Sequence, residues 1–262
     1  TETATRILRS GWDGQQYLQT QYVTNAYGDP GTTRVETSTV HDPDGTTVSE
    51  IVTTYARYAF GDSKIERRTS TGPDSPPEVE TWEYYTNPSE LGRYTRLRLH
   101  VGANGSWESF DYDIDGQQTK RVTPFKNSKP TDPESSSRVH ETSRSWSNYV
   151  LTETHIEKVL GQEVSRRYRT SGFTTIRDIR CITPGASIDD PANLVTETTY
   201  CASEPDIRQV VKVTKPTGTI TLTTYTRTGG NLVTTVCEGQ PDGAGTSVID
   251  GTKTVTVTNP AG

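Results

Sequence analysis

The sequence predicts an all-β chain: tandem antiparallel β-hairpin repeats forming one continuous, curved, open-ended sheet. Three observations carry that expectation. The first is an internal echo: residues 96–107 and 110–116 align without a gap on residues 209–220 and 223–229, which lie 113 residues further on. The second is a period-two alternation of Thr, Val and aromatic residues, the pattern of a half-buried strand. The third is the recurrence of Asp-Gly, Asn-Gly and Gly-Gly dipeptides between the alternating runs, which supply the positive φ that tight hairpin turns need.

Taken in order, the strand runs are Val35-Glu36-Thr37-Ser38-Thr39-Val40, Val79-Glu80-Thr81-Trp82-Glu83-Tyr84, Leu194-Val195-Thr196-Glu197-Thr198-Thr199-Tyr200 and Thr219-Ile220-Thr221-Leu222-Thr223. Turns are expected at Asp44-Gly45, Asn104-Gly105, Asp115-Gly116, Gly229-Gly230 and Asp242-Gly243. Asn104-Gly105 should join residues 97–101 to 106–110. Both copies of the echo read strand, turn, strand, then a Tyr-x-x-x-Gly turn ending at Gly116 or Gly229. The phase continues outward, because Trp12-Asp13-Gly14-Gln15-Gln16 resembles residues 114–118 and residues 254–262 resemble residues 37–45. Residues 150–164 come nearest to a helical stripe, and their β-branched content leaves them ambiguous. Pro- and Ser-rich stretches at 70–77, 126–137 and 183–193 read as long loops, the first and third as one excursion built into the repeat. The resulting division is a first repeat unit over residues 1–125, a connecting loop over 126–138 and a second unit over 139–262. A fixed-period echo implies stacked architecture.

Composition bounds what such a sheet can enclose. Apolar residues make up 29% of the chain, and adding 22 Gly in 262 residues leaves it below the roughly 45–50% of globular proteins. A thick core is not expected. Thirteen Tyr, four Trp and a net charge of −6 argue for ordered strands rather than disorder. No window approaches the roughly 18 apolar residues of a membrane span, and no signal segment opens the chain. With Thr1 first and Met absent, the sequence reads as a processed or cut product. The acidic balance, with no basic stripe in the sequence, argues against nucleic acid as a partner. Cys181, Cys201 and Cys237 match no zinc spacing, and three unpaired thiols or a Cys181–Cys201 bridge with one spare thiol are both open.

Tyr112-Asp113-Ile114-Asp115-Gly116-Gln117-Gln118-Thr119-Lys120-Arg121-Val122-Thr123-Pro124 resembles the Tyr-Asp core of bacterial rearrangement-hotspot (RHS, or YD) repeats. Trp82-Glu83-Tyr84-Tyr85, Arg96-Leu97 and Gly105-Ser106-Trp107 resemble the spacing of long RHS arrays. Gln117 and Gln118 stand where that pattern has Arg-Leu, and the second copy has Thr226 in place of the Asp. The rhythm covers most of the chain, the motif only residues 96–125 and 209–235. The resemblance implies a ribbon of β-hairpins winding into a shell or tube of a secreted bacterial protein. The family's self-cleavage motif has no match in this sequence.

Residue chemistry assigns no catalytic, cofactor-binding or metal residue. Asp111, Asp113 and Asp115 before Gly116 fit the first half of an oxygen-ligand Ca²⁺ loop, but the twelfth position is Val122 rather than a bidentate Glu. A strand leading into a tight turn or a weak surface Ca²⁺ site remain as readings. His41, His100, His140 and His155 lie far apart with no paired-ligand spacing. Trp12, Trp82, Trp107 and Trp146 could form a sugar-stacking platform, although their repeat-equivalent placement favours packing between strands. The expected function is structural and extracellular or cell-surface: a non-catalytic building block of an RHS-like shell, fibre or tube. It would associate with itself, or with the rest of a longer repeat chain, through residues 1–20 and 245–262, where 252–258 is a Thr/Val run suited to strand pairing. The alternative is an adhesin module binding a surface glycan or cell. Three or more aromatics along one open groove would mark it.

Overall fold

The computed structural model describes residues 3–10, 16–24, 29–42, 44–72, 75–203 and 206–259. Among them, every regular element is a β-strand except one turn of 3-10 helix at Glu134–Ser136. The chain divides into Thr1–Val139 and His140–Gly262. The first unit holds β1 (Thr3–Ser10), β2 (Gln16–Thr24), β3 (Thr33–His41), β4 (Thr47–Tyr58), β5 (Gly61–Thr71), β6 (Glu78–Tyr84), β7 (Leu97–Val101), β8 (Trp107–Tyr112) and β9 (Gln118–Thr123). Each pairs antiparallel with the next. After β10 (Arg138–Ser147), the second unit continues with β11 (Val150–Val159), β12 (Gln162–Ser171), β13 (Thr175–Arg180), β14 (Leu194–Tyr200), β15 (Val210–Thr214), β16 (Ile220–Thr228), β17 (Asn231–Pro241) and β18 (Val248–Thr258). Here too β11 to β18 pair serially and antiparallel. The all-β hairpin reading therefore holds.

Strands eight places apart are equivalent, down to single hydrogen bonds. Leu99↔Ser109, His100↔Glu108 and Val101↔Trp107 in β7–β8 become Lys212↔Leu222, Val213↔Thr221 and Thr214↔Ile220 in β15–β16. The Gly102 N–H donates to Ser106 O at 2.7 Å and Gly105 N–H to Gly102 O at 2.9 Å. Lys215 to Thr219 and Gly218 to Lys215 repeat both bonds, each at 2.9 Å. Gly105 and Gly218 sit at φ 79° and 83°, the left-handed region where a Cβ is penalised. The Tyr112 hydroxyl donates to Leu97 O at 3.0 Å, and the Tyr225 hydroxyl to Val210 O at 3.1 Å. One strand earlier, β6 and β14 both carry a bulge, at Glu83/Tyr84 and Thr199/Tyr200. Even an unusual backbone recurs, since Thr95 and Arg208 both have positive φ just before β7 and β15.

The details of the echo need correction in three places. The Tyr-x-x-x-Gly turn forms only in the first copy, where Asp113 N–H donates to Gln117 O and Gly116 N–H to Asp113 O. In the second copy β16 runs on past Tyr225 to Thr228, and the chain reverses at Gly229-Gly230, φ 57° and 85°, where that dipeptide is expected to turn it. Two successive positive-φ glycines make a tighter turn than the Asp-centred one. At the outer end, β18 lies eight strands after β10, so the likeness of residues 254–262 to 37–45 in β3 is one strand out of phase. Trp12 and its neighbours lie outside the described residues. Lastly, the reversal expected at Asp242-Gly243 centres on Gly245, whose N–H donates to Asp242 O and whose φ is 68°.

Residues 150–164 form the β11–β12 hairpin, not a helix, with Leu160-Gly161 at φ 52° and 75° as its turn. Residues 126–138 are more than a connection. The indole N–H of Trp107 donates to Ser128 O at 2.8 Å, Phe125 N–H donates to Ser128 Oγ at 2.9 Å, and Ser137 is fully buried. This segment closes over Trp107, Val122 and Val139, against which Leu99 and Val101 pack. In the second unit Ile220 takes the place of Trp107 and is equally buried, at 2% exposure. The thin core follows from the composition: each unit buries a few apolar side chains on one face and leaves the rest to alternation.

Candidate functional site

The long excursion after β13 determines which face of the second unit is open. β12 and β13 alternate, so Tyr168 and Ile179 point to one face and Arg167 and Arg180 to the other. Residues 181–193 cover the first face: the Tyr168 hydroxyl donates to Ala186 O at 2.9 Å, Cys181 Sγ lies 3.7 Å from the same oxygen, and Ile179 is 2% exposed. The loop is tied down by Glu163, which accepts from Gly185 N–H and takes a two-pronged bond from Arg166 at 2.9 and 2.7 Å. Those hydrogen bonds from Arg166 hold the Glu163 carboxyl below the usual carboxylate range and push the guanidinium further up. Burial pushes the Cys181 thiol up.

On the open face, register sets side chains abreast across four strands. One row runs His155↔Arg167↔Arg180↔Leu194. All four are exposed. They line a groove of about 570 Å³ together with Thr196, Pro216 and the Arg169–Asp178 pair. The next row alternates in charge: Arg144 donates to Glu153 at 2.8 Å, Glu153 stands opposite Arg169, and Arg169 faces Asp178 at 3.8 Å. The described ion pairs thus engage Arg166, Arg169 and Arg177 but neither Arg167 nor Arg180. His155 Nδ1 meets Thr142 Oγ1 at 3.2 Å. A second hollow of about 410 Å³, lined by His140, Glu157 and Ser165, shares His155 and Arg167 with the first.

The residues singled out from the sequence do not converge. Asp113 Oδ1 accepts from the N–H groups of Asp115 and Gln117, and Asp111 pairs with Arg93 of the β6–β7 loop at 2.9 Å, so these carboxylates hold a turn and a loop cation. No group of His, Cys, Asp and Glu suited to a metal occurs among the described residues. Cys181, Cys201 and Cys237 are all free thiols, and no Cys181–Cys201 bridge forms. His41 meets Thr47 at 3.3 Å, while His100 bonds Glu80 at 2.8 Å and stacks on Trp82. Trp82 is sandwiched, with Lys64 at 4.0 Å on its ring, and Trp107 is buried, whereas Trp146 is 72% exposed. Of the four hollows around His155, Glu157, Phe110 and Tyr112, none carries more than two Phe, Tyr or Trp residues. Aromatic residues meet each other instead, Tyr58 stacking on Phe60 in the β4–β5 turn and meeting Tyr84 edge-on at 6.3 Å.

Sequence reading missed the row of His155, Arg167 and Arg180 because its members lie 12 and 13 residues apart and meet only through strand register. Along the outer strand of the second unit, β18 pairs with β17 over its length, and ten of its eleven residues are exposed, among them Ile249, Val255 and Val257. No helix among the described residues is long and apolar enough to cross a membrane.

No protein-family model and no curated protein matches the chain. Among solved structures, it is similar to a porin-like protein from Bacteroides uniformis ATCC 8492, with a TM-score of 0.34 and 11% identity over 93% of this chain and 94% of that one.

Proposed function

We propose that the chain is a non-catalytic β-repeat building block of an extracellular or cell-surface assembly, a wall element of an RHS-like shell, tube or fibre, which associates with further copies through its outer strands. The observation that carries this reading is the eight-strand repeat. Two stretches of divergent sequence keep the same register, the same Tyr-to-carbonyl bond and the same positive-φ positions. Such economy suits a wall extended by adding equivalent hairpins, in which each strand is stabilised by its neighbours rather than by a deep core. Self-association is supported by β18, whose exposed Val255 and Val257 alternate with Thr254, Thr256 and Thr258, with Ile249 exposed nearer its start. A strand of this kind is a template for an added strand.

Sedimentation across micromolar concentrations, with negative-stain imaging, tests the reading. The parent should assemble into rings, tubes or fibres, and Val255→Lys with Val257→Lys should shift it to monomers. A monodisperse parent that the double substitution leaves unchanged would refute assembly through β18.

A further inference from the structure

The geometry points to a binding site for an acidic polysaccharide on the open face of the second unit, with Arg167 and Arg180 holding its carboxylate or sulfate groups and His155 extending the row. Adjacent strands stand about 4.8 Å apart, so three side chains abreast span about 10 Å, a distance over which successive acidic groups of one chain can be met. Arginine suits that ligand because its planar fork matches an oxoanion two bonds at a time.

Two observations separate this row from an ordinary solvated face. Like charges directly opposite each other destabilise a sheet, and Arg167 stands directly opposite Arg180 with no carboxylate paired to either among the described residues. The neighbouring row shows what compensation looks like on the same strands: Arg144, Glu153, Arg169 and Asp178 alternate. The repeat supplies the second observation. Following the registers back eight strands, the row equivalent to His155↔Arg167↔Arg180↔Leu194 is Ser38↔Ile51↔Thr69↔Glu78. The fold builds the same four-strand row without a single cation, so the arginines answer to something other than folding.

The groove and the chain's overall charge narrow the ligand class. Leu194 and Pro216 line the groove beside the cations, an apolar shelf for the C–H face of a sugar ring. A net charge of −6 gives no long-range attraction to any polyanion, so binding rests on the local row and on the apolar shelf beside it, a pairing that suits an acidic sugar chain rather than nucleic acid. The carboxylates nearby are engaged elsewhere: Asp178 in the groove faces Arg169 at 3.8 Å, Glu141 in the adjoining hollow pairs with Lys158 at 2.7 Å, and Glu157 beside it has a partner of its own. The site needs only the second unit, so it stands or falls separately from assembly through β18.

The test uses the full chain with polygalacturonate fragments, uncharged dextran and oligothymidylate as probes in biolayer interferometry at low and moderate salt. Polygalacturonate should bind, weakening as salt rises, and dextran should not. The variant Arg167→Ile with Arg180→Thr, which carries the residues of the first repeat, should bind about tenfold or more weakly, the loss expected of two charge-assisted contacts. Its melting temperature should equal or exceed the parent's, because facing like charges are gone. Polygalacturonate should raise the melting temperature of the parent and not of the variant. Undiminished binding by the double variant, or tighter binding of oligothymidylate than of polygalacturonate, would overturn the assignment. Arg167→Gln with Arg180→Gln, closer in size and polarity, keeps the test open should the first variant fold poorly, since it too must lose binding.

Discussion

Tyr112→Phe and Tyr225→Phe should cost the same. Each substitution keeps the ring and removes one hydroxyl, which in the parent donates to the carbonyl of Leu97 at 3.0 Å or of Val210 at 3.1 Å. Tyr112 lies edge-on to Tyr85 at 6.3 Å and under Arg96 at 5.3 Å, and Phe preserves both contacts in form. What is lost is one neutral side chain to backbone hydrogen bond, worth about 1 kcal/mol net, with the stranded carbonyl at a strand start still able to reach water. The two hairpins share no partner, so the double variant should lose about 2 kcal/mol. With a urea slope of about 2 kcal/mol/M, each single change lowers the midpoint by about 0.5 M. If the units unfold in separate transitions, each substitution should move only the transition of its own unit. Tyr149→Phe is the control, since that side chain is 96% exposed and should not respond. A clear loss for Tyr112→Phe beside no loss for Tyr225→Phe would show that the second hairpin copies the geometry of the first without its energetics, and the repeat would no longer explain stability.

Gly105→Val and Gly218→Val should each destabilise by about 1–2 kcal/mol: a Cβ at either site meets nothing within 4 Å, so the cost is backbone strain at positive φ, readable as matched losses in urea midpoint. Gly251→Ala should cost about 1–3 kcal/mol for a different reason, because its Cβ would lie 2.0 Å from Glu238 O across the β17–β18 pair; an unchanged melting curve would contradict that close approach. The folded pKa of Glu163 lies below its ordinary value of 4.5, so its contribution is full above that value and is lost as pH falls through the folded value. Glu163→Gln should therefore flatten the acid limb of a plot of urea midpoint against pH and leave a constant offset above it. Three thiols should titrate in denaturant, and in the native chain Cys201 and Cys237 should react with a thiol reagent ahead of buried Cys181, whose thiol is pushed up by desolvation.

Turn chemistry is local, which is why the Asn104-Gly105 hairpin is legible in the sequence alone. The dipeptide demands positive φ, and the flanking alternation supplies the strands. The same logic located β14 and the body of β6 and β16. It failed at Leu160-Gly161, where a bulky residue occupies the left-handed region and the surrounding Val, Ile and Leu leave helix and strand equally open. At Gly229 the dipeptide rightly locates the turn, but the Tyr-x-x-x-Gly echo misjudges its form: two positive-φ glycines turn the chain without a counterpart of the Asp113 carboxylate. Longer range was harder still. The period of eight strands is invisible in β3–β5 against β11–β13, where register alone preserves the correspondence and Ser38, Ile51 and Thr69 have become His155, Arg167 and Arg180.

That substitution pattern explains why the chemistry of this chain escapes motif reading. A serial antiparallel sheet fixes backbone partners through hydrogen bonds that any side chain permits, so the open-face positions are free to vary as long as turns and covered positions are kept. The kept positions are few and each has a physical reason: Gly105 and Gly218 for φ, Tyr112 and Tyr225 for a strand-end carbonyl, Trp107 and Ile220 for the covered face. The free positions lie in rows perpendicular to the strands, whose members are a dozen residues apart in sequence. A composition with 23% charged residues and a net charge of −6 can therefore hide a local row of uncompensated cations, because neither total charge nor sequence proximity reports cross-strand neighbours. In a sheet of this kind cross-strand register decides which side chains act together, and the difference between equivalent rows of two repeats separates what the fold requires from what it has been given to carry.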